Sequence, residues 1–348
     1  MSIKTAVIGT GNQAEAWCRQ ILNHSKYNLN YIISENYERG NRLANEMNCE
    51  SLNNYEQILD NKKIDLVILA SSPDKNKFAI KLAERKINLI IEKPLGFNID
   101  DCLKIKDSCN KNEVLCGSGL KRYFDTYFEV IKKYQKILGK CYHAELNVFH
   151  NNNIEDKHKF SAERDKKYGD IFLAHLIHYF IQLNKIFGQP KSIFANPITE
   201  NNQKILVSTN LIIKYENNLV TMNVINGMET DFGETMNLYC EKGMIEVNFN
   251  TQVVQIIKNP FNNKLSRPFI SRHKNSILRG KFSNLKLRKI VASEIFYTGT
   301  LNDVLNSFSN IYLKLKDDEI VNIDKQYISV EMSLACNKSI EKKTWINF

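Results

Sequence analysis

Short apolar runs alternate with longer amphipathic segments over the first 120 residues of the chain. Strands are predicted at residues 4–8, 31–33, 65–70, 88–91 and 114–116. Between them, the spacing of apolar residues predicts helices over residues 14–22, 39–47, 77–85 and 100–110. The run at 65–70 is apolar almost throughout, as is typical of a parallel strand buried on both faces. The alternation predicts a doubly wound α/β domain, with a parallel sheet, over residues 1–120.

The pattern changes after residue 120. A helix is predicted at 128–138 and a strand at 141–149, and longer strands then follow one another at hairpin spacings, at 206–215, 219–225, 236–240 and 244–249. A last helix is predicted at 328–340. We therefore expect a second α/β domain with an open, mainly antiparallel sheet over residues 121–348, and the length of 348 residues is enough for two cores.

Composition excludes several classes of protein. With 43% hydrophobic and 25% charged residues, the chain is neither disordered nor collagen-like. The eight cysteines form no C-x-x-C pair and no zinc-site spacing, so we expect buried free thiols in a reducing compartment and no metal site. The amino terminus lacks the apolar run of a signal peptide, and no stretch of about 18 apolar residues occurs. These features predict a cytoplasmic protein without a membrane span.

Positive charge is concentrated in one segment. The formal net charge is +10, and ten basic residues lie between Lys258 and Lys289, within a stretch that contains no Asp or Glu. We interpret residues 258–293 as a basic insertion, and three hypotheses stay open: a solvated flap, a clamp for the phosphates of a nucleotide sugar, or a contact with a macromolecule or an anionic membrane surface. No nucleic-acid motif accompanies it, so nucleic acid is not an expected partner.

A glycine-rich turn follows the first predicted strand and precedes the first predicted helix. It reads G-x-G-x-x-A, and its residues are Gly9, Thr10, Gly11, Asn12, Gln13 and Ala14. The first glycine permits a tight turn, and the second lets the backbone approach a pyrophosphate, which the free N–H groups of the helix attract. The hexapeptide alone is also compatible with a purely structural turn, but its place in a β-α-β unit predicts a dinucleotide site.

The end of the second predicted strand bears on the choice between NAD(H) and NADP(H). An acidic residue about 20 residues beyond the glycines commonly binds the adenosine ribose. This chain has Ser34 followed by Glu35, with Arg39 within a turn of both. Ser34 lacks the carboxylate that would repel a 2′-phosphate, whereas Glu35 keeps one nearby. The sequence therefore slightly favours NADP(H) over NAD(H).

Five motifs, in order along the chain, resemble those of the glucose-fructose oxidoreductase, inositol dehydrogenase and MocA group (Gfo/Idh/MocA). They are the glycine turn, an A-T-P-like turn at Ala70, Ser71, Ser72 and Pro73, the tripeptide Glu92, Lys93 and Pro94, an R-R-F-D-P-like segment that contains Arg122 and Tyr123, and a glycine-opened helix from Gly169 to His178. The resemblance extends over nearly the whole chain. It implies a Rossmann domain joined to an α/β domain whose open sheet commonly mediates homodimers or homotetramers.

The resemblance also implies an activity and the residues that perform it. Hydride would move between C4 of a nicotinamide and a carbon of a sugar that carries a hydroxyl or a carbonyl, and a nucleotide-linked sugar or keto-sugar is the favoured substrate. Lys93 would bind the reacting oxygen and stabilise its charge, and His178 would exchange a proton with it. Arg122 and Tyr123 would help to form the substrate pocket.

The chain departs from the family pattern at Ala174. The family has an Asp there, four residues before the histidine, and an alanine can neither accept a proton nor fix an imidazole tautomer. His175 is the candidate that substitutes for it, and Tyr168 and Asp170 are further substrate-binding candidates near the start of the helix. The departure keeps a second hypothesis open: a catalytically silent relative that senses dinucleotides or sugars.

Overall fold

The computed structural model describes residues 2–61, 63–71, 75–151, 170–199, 206–228, 233–258, 289–316 and 318–348. The chain forms two compact units, and the first draws on Met1–Asp125, Glu155–Gly188 and Thr298–Lys342. The second draws on Thr126–Ile154, Gln189–Tyr297 and Lys343–Phe348. The structure thus differs from the predicted division at residue 120, because the first unit also takes in segments from the middle and the end of the chain.

A six-stranded parallel sheet forms the centre of the first unit. Its strands are β1 (Ile3–Ile8), β2 (Tyr27–Ile33), β3 (Glu50–Leu52), β4 (Leu66–Leu69), β5 (Asn88–Ile91) and β6 (Cys116–Ser118). The helices that alternate with them are α1 (Asn12–Leu22), α2 (Tyr37–Glu46), α3 (Glu56–Asn61), α4 (Lys75–Glu84) and α5 (Ile99–Lys111). The order β3-β2-β1-β4-β5-β6 is that of a dinucleotide-binding Rossmann sheet, which confirms the predicted doubly wound fold.

The sheet is covered by apolar side chains on both faces. Val67 and Leu69 of β4 belong to one core cluster, whereas Leu66 and Ile68 belong to the other, and all four are fully buried. This is why the strand lacks the polar alternation of a half-exposed strand. The predicted strand at 114–116 is displaced, because the amide of Val114 still bonds the carbonyl of Cys109 at the end of α5 and the pairing begins only at Cys116.

Three helices from later in the chain complete the first unit. They are α7 (Ile177–Phe187), preceded by a π-helical turn at Phe172–Leu176, then α8 (Leu301–Tyr312) and α9 (Ile323–Lys342). Val330 of α9 and Ile177 of α7 join the core cluster that contains α5, while Phe308 of α8 joins the cluster that contains α1. The predicted final helix is confirmed in α9, but α8 was not predicted.

A nine-stranded sheet and one helix, α6 (Tyr127–Leu138), form the described part of the second unit. The strands are β7 (Cys141–Asn151), β8 (Pro190–Thr199), β9 (Leu206–Tyr215), β10 (Leu219–Met228), β11 (Gly233–Cys240), β12 (Gly243–Asn248), β13 (Val253–Lys258), β14 (Lys289–Ile295) and β15 (Ile346–Asn347). Their order is β14-β13-β12-β11-β7-β10-β9-β8-β15, and every pair is antiparallel except β7 with β10. The predicted mainly antiparallel sheet is confirmed.

The basic segment connects two neighbouring strands of this sheet. Lys258 ends β13 and lies opposite Lys289, the first residue of β14. Residues 289–293, the last part of the segment interpreted as an insertion, belong to β14 and continue the sheet. The other eight basic residues of this segment, from Lys264 to Arg288, lie outside the described residues.

The expectation of free thiols is wrong for two of the cysteines. Cys141 of β7 and Cys240 of β11 are paired across adjacent strands, and their sulfurs form a disulfide. The other six cysteines are free, and Cys18, Cys102 and Cys336 among them are buried, with pKa values that burial raises. Spacing in the sequence could not reveal the disulfide because the two residues are 99 positions apart.

Within the described ranges, none of the helices has the length and apolar content that crossing a lipid bilayer would need.

Candidate functional site

Gly9 forms the turn between β1 and α1, and its backbone has φ of +126°. A Cβ at this position would lie 3.1 Å from the carbonyl carbon and oxygen of Ala70 and 3.1 Å from the amide nitrogen of Ser71. Both the dihedral angle and the approach of the β4 backbone therefore require glycine. The turn is what brings the start of α1 to the carboxyl edge of the sheet.

Gly11 has a different role in the same turn. It is the N-cap of α1 with φ of −84°, which any residue adopts, and an added Cβ would meet nothing within 4 Å. Among the described residues, no side chain caps the first turn of the helix. Open space beside uncapped N–H groups at the positive end of a helix suits an anion. The residues present thus fit the pyrophosphate of a dinucleotide.

Ser34, Glu35 and Arg39 follow the carboxyl end of β2, where the adenosine ribose of a bound dinucleotide would lie. The hydroxyl of Ser34 accepts a hydrogen bond of 3.2 Å from the amide of Asn36, and Asn36 caps α2 through the amide of Arg39 at 3.0 Å. Glu35 and Arg39 are both exposed. One carboxylate and one guanidinium therefore remain available to solvent near a serine that already bonds its own turn.

Glu92, Lys93 and Pro94 follow β5 at the carboxyl edge of the sheet, and the Lys93–Pro94 peptide bond is cis. Glu92 is 7% exposed, and its Oε1 accepts a hydrogen bond of 2.7 Å from the indole Nε1 of Trp17. Its Oε2 accepts a longer one, of 3.2 Å, from the amide of Lys93. Ser71, at the end of β4, is half-buried. Ser72 and Pro73 lie outside the described residues.

The ammonium of Lys93 reaches the segment that precedes α7. Its Nζ donates a hydrogen bond of 2.6 Å to the carbonyl oxygen of Ala174, inside the π-helical turn. In this turn the amide of Ile177 bonds the carbonyl of Phe172, five residues back. Turns of this kind are rare and often occur at functional sites. Ala174 stands out in the sequence because it lacks the carboxylate of the family's Asp, but the bond between its backbone carbonyl and the lysine was not predicted.

His178 lies one turn further along, half-buried in α7. Burial lowers its pKa well below the usual value, and the positive charges of Lys93, Arg122, His175 and Lys121 lower it further. Its Nδ1 is enclosed and has no hydrogen-bond partner within the described part of the chain. The imidazole is therefore neutral near pH 7.

The remaining predicted substrate residues have different environments. The guanidinium of Arg122 lies 5.1 Å from the ring centre of Tyr179, next to His178 in the chain. Tyr123 is only 3% exposed, and its hydroxyl bonds Glu319 and Lys325. The part that Arg122 and Tyr123 play in a substrate pocket stays a prediction.

Asp170 stands at the start of the π-helical turn. Its Oδ1 accepts the amides of Phe172 and Leu173, at 2.9 and 3.0 Å, and its Oδ2 accepts from Asn337. The carboxylate thus fixes the start of the turn. His175, in the turn itself, is half-buried. Tyr168 lies outside the described residues.

The amino-terminal domain matches a known protein family. Residues 3–120 match the model of an oxidoreductase family with an NAD-binding Rossmann fold, GFO_IDH_MocA. Among curated proteins, the chain is 22% identical over 191 residues to 2,7-anhydro-N-acetylneuraminate hydratase of Escherichia coli strain K12. That alignment covers 54% of this chain and 50% of the relative, so the chain spans about half the length of the curated relative.

Solved structures share the fold over the whole chain. The WlbA dehydrogenase from Bordetella pertussis, in complex with NADH and UDP-GlcNAcA, superposes with a TM-score of 0.77 at 14% identity and covers 100% of this chain and 99% of that one. A myo-inositol dehydrogenase from Corynebacterium glutamicum superposes with a TM-score of 0.73 at 15% identity, with coverage of 100% and 99%. At these identities the likeness shows the fold alone. Together with the glycine turn and the parallel sheet, the match over residues 3–120 shows that this domain has the NAD-binding Rossmann fold of the Gfo/Idh/MocA oxidoreductase family.

Proposed function

We propose that the protein is an NAD(P)(H)-dependent dehydrogenase or reductase that acts on the CH–OH or carbonyl carbon of a sugar. The observation that carries the proposal is the convergence of Lys93 and His178 in one unit with the dinucleotide turn. The lysine follows β5 and bonds the turn before α7, and its charge is close enough to lower the pKa of His178. A cation beside a neutral imidazole suits a reaction that moves a proton and develops charge on oxygen.

The roles follow from these environments. A bound nicotinamide supplies or accepts hydride at C4. Lys93, held at the sheet edge, donates a hydrogen bond to the reacting oxygen and stabilises negative charge there. His178 is neutral at pH 7, so its Nε2 accepts a proton from a hydroxyl when the sugar is oxidised, and returns it when a carbonyl is reduced. Arg122 adds positive charge near this pair, and His175 lies in the turn that Asp170 fixes.

The glycine turn supports dinucleotide binding through Gly9 and Gly11, and the residues after β2 support a preference for NADP(H). Ser34 presents no carboxylate to a 2′-phosphate, and exposed Arg39 offers a charge that would attract one. Thermal midpoints with NADPH, NADP, NADH and NAD test this, since a ligand at 100 times its dissociation constant stabilises by about 2.7 kcal/mol. A larger shift with the NADH pair would contradict the preference.

A nucleotide-linked sugar or keto-sugar is the proposed substrate, and support comes from a structural neighbour that binds UDP-GlcNAcA. A homodimer or homotetramer in the cytoplasm completes the proposal. The disulfide between Cys141 and Cys240 is unusual for a cytoplasmic protein. Alkylation of the unfolded protein prepared without reductant counts its free thiols, and eight alkylated cysteines would show that the disulfide is not formed.

The decisive experiment measures NAD(P)H absorbance with a panel of keto-sugars and nucleotide-linked sugars. Lys93→Met should lower turnover by about 100-fold, while the cofactor dissociation constant stays within about threefold. Lys104→Met, an exposed lysine on α5, is the matched control and should keep full turnover. Full activity in Lys93→Met would remove the lysine from the mechanism.

Two other outcomes separate the alternatives. Cofactor binding without turnover of any sugar would favour the silent sensor that Ala174 suggests. Because a curated relative is named a hydratase, products are also followed by mass spectrometry. A sugar that changes by the mass of water, with no net change in the cofactor, would contradict a simple dehydrogenase.

A further inference from the structure

Trp17 is one of two tryptophans in the chain and lies in α1, the helix that begins at the dinucleotide turn. Its side chain is fully buried, and its indole N–H donates the hydrogen bond of 2.7 Å to Oε1 of Glu92. The two residues are 75 positions apart, on different elements of the same unit. A charge-assisted hydrogen bond inside an apolar core is among the stronger contacts that a side chain makes.

Glu92 uses its two oxygens for two different donors. Oε1 accepts from Trp17, whereas Oε2 accepts from the backbone amide of Lys93. A glutamine would offer one acceptor oxygen to these two donors, and one of them would be left unsatisfied. The two oxygens of the Glu92 carboxyl group are thus matched to the indole and to the backbone of Lys93.

Gly119 packs against the carboxylate of Glu92. A Cβ at residue 119 would lie 2.7 Å from the carboxyl carbon of Glu92, closer than side chains approach. The backbone after β6 therefore packs directly against the carboxylate, and the amide of Gly119 bonds the carbonyl of Ile91 at 3.2 Å. The indole of Trp17, the amide of Lys93 and the backbone of Gly119 together restrict the side chain of Glu92 to one position.

We propose that Trp17 is a positioning residue that acts through Glu92 to hold Lys93 in place. The chain of contacts runs from the indole to the carboxylate, from the carboxylate to the lysine backbone, and from the lysine Nζ to the carbonyl of Ala174. Through it, the helix that begins at the cofactor turn fixes the residue that would meet the substrate. The catalytic meaning of this positioning rests on the proposed function.

Reductive methylation of lysine amines, followed by peptide mass spectrometry, tests the positioning without any substrate. In the folded wild-type protein, Lys93 should react slowly, because its Nζ is partly buried and bonded to a carbonyl. Trp17→Phe keeps an aromatic ring and removes the N–H donor. Without that donor, the amine of Lys93 should leave its hydrogen bond to Ala174 more often. Because only the released amine reacts, its methylation rate should rise about fivefold. Exposed Lys104 should react at the same rate in all variants.

Two further variants perturb the same contact independently. Glu92→Gln and Gly119→Ala should give the same selective rise at Lys93, so the proposal stays testable even where Trp17→Phe does not fold. Gly117→Ala is the matched control, because a Cβ there would make ordinary contacts at 3.5 and 3.6 Å. Trp345→Phe removes the other indole, which lies in the second unit, and should leave Lys93 unchanged.

The outcomes distinguish a specific effect on the position of Lys93 from a general loss of stability. Slow methylation of Lys93 in all three folded variants would overturn the proposal, and so would an equal rise at Lys104. With a sugar that is turned over, Trp17→Phe should lower kcat by about tenfold in the wild-type background and by less than about twofold in Lys93→Met. A protein that shows the methylation pattern but turns over no sugar would refute the proposed function and keep the positioning.

Discussion

The two glycines of the dinucleotide turn should respond differently to substitution by alanine: one should lose stability and the other affinity for the cofactor. Gly9→Ala places a Cβ on a backbone with φ of +126° and within 3.1 Å of three backbone atoms of Ala70 and Ser71. An unfavourable backbone conformation costs about 1–3 kcal/mol, and the close approach adds to it because backbone atoms cannot turn aside. We expect Gly9→Ala to lower the free energy of unfolding by about 2–4 kcal/mol.

Gly11→Ala has neither cost. Its φ of −84° suits alanine, and a Cβ there meets nothing within 4 Å. The free energy of unfolding should therefore change by less than about 1 kcal/mol, and the restricted unfolded chain contributes a small stabilisation. The new methyl group occupies the space into which a pyrophosphate would fit. We therefore expect the dissociation constant of NADPH to rise by about 10–100-fold, or about 1.4–2.8 kcal/mol.

Urea unfolding of the protein without cofactor measures the change in stability, and titration of NADPH fluorescence measures the change in affinity. We expect a crossed result: Gly9→Ala loses stability, whereas Gly11→Ala keeps stability and loses affinity for NADPH. Equal destabilisation by both substitutions would show that Gly11 is a structural residue. Full NADPH affinity in Gly11→Ala would show that the turn does not bind the pyrophosphate.

Two further predictions concern buried titratable groups. The pKa of His178 is lowered in the folded protein, so the unfolded chain binds more protons below pH about 6.5, and stability should decline as pH falls from there. Urea unfolding between pH 7.5 and pH 5.5 should show a smaller decline in His178→Gln, and an unchanged decline would contradict the assignment. The carboxylate of Asp125 is 2% exposed and accepts the amide of Gly299 at 2.7 Å and Nε2 of Gln182 at 2.8 Å. Asp125→Ala leaves both donors unsatisfied and should cost about 2–4 kcal/mol by urea unfolding, whereas Asp107→Ala, at an exposed position, should cost less than about 0.5 kcal/mol; equal costs would refute the argument.

The sequence alone determined the class of both sheets and the position of the dinucleotide turn. Strand β5 was predicted to the residue, and α1, α2, α4, α5 and α6 within one or two residues at each end. These features are local, because a buried parallel strand is a short apolar run and a tight turn before a helix needs glycine at a fixed spacing. The motif of Glu92, Lys93 and Pro94 was also visible, since it directly follows such a run.

Only the tertiary structure decided which distant segments complete the first unit and the site. The hydrogen bonds from Lys93 to Ala174 and from Trp17 to Glu92 join residues 81 and 75 positions apart, and the disulfide joins residues 99 apart. The sequence periodicity does not reveal such contacts, because they depend on how α1 and the turn before α7 pack on the parallel sheet and on which strands pair in the second sheet. The acceptor at Ala174 is a backbone carbonyl, which every residue carries, so the side-chain type gave no signal. The local pattern therefore determined the elements and the turn, and long-range packing decided what surrounds the lysine.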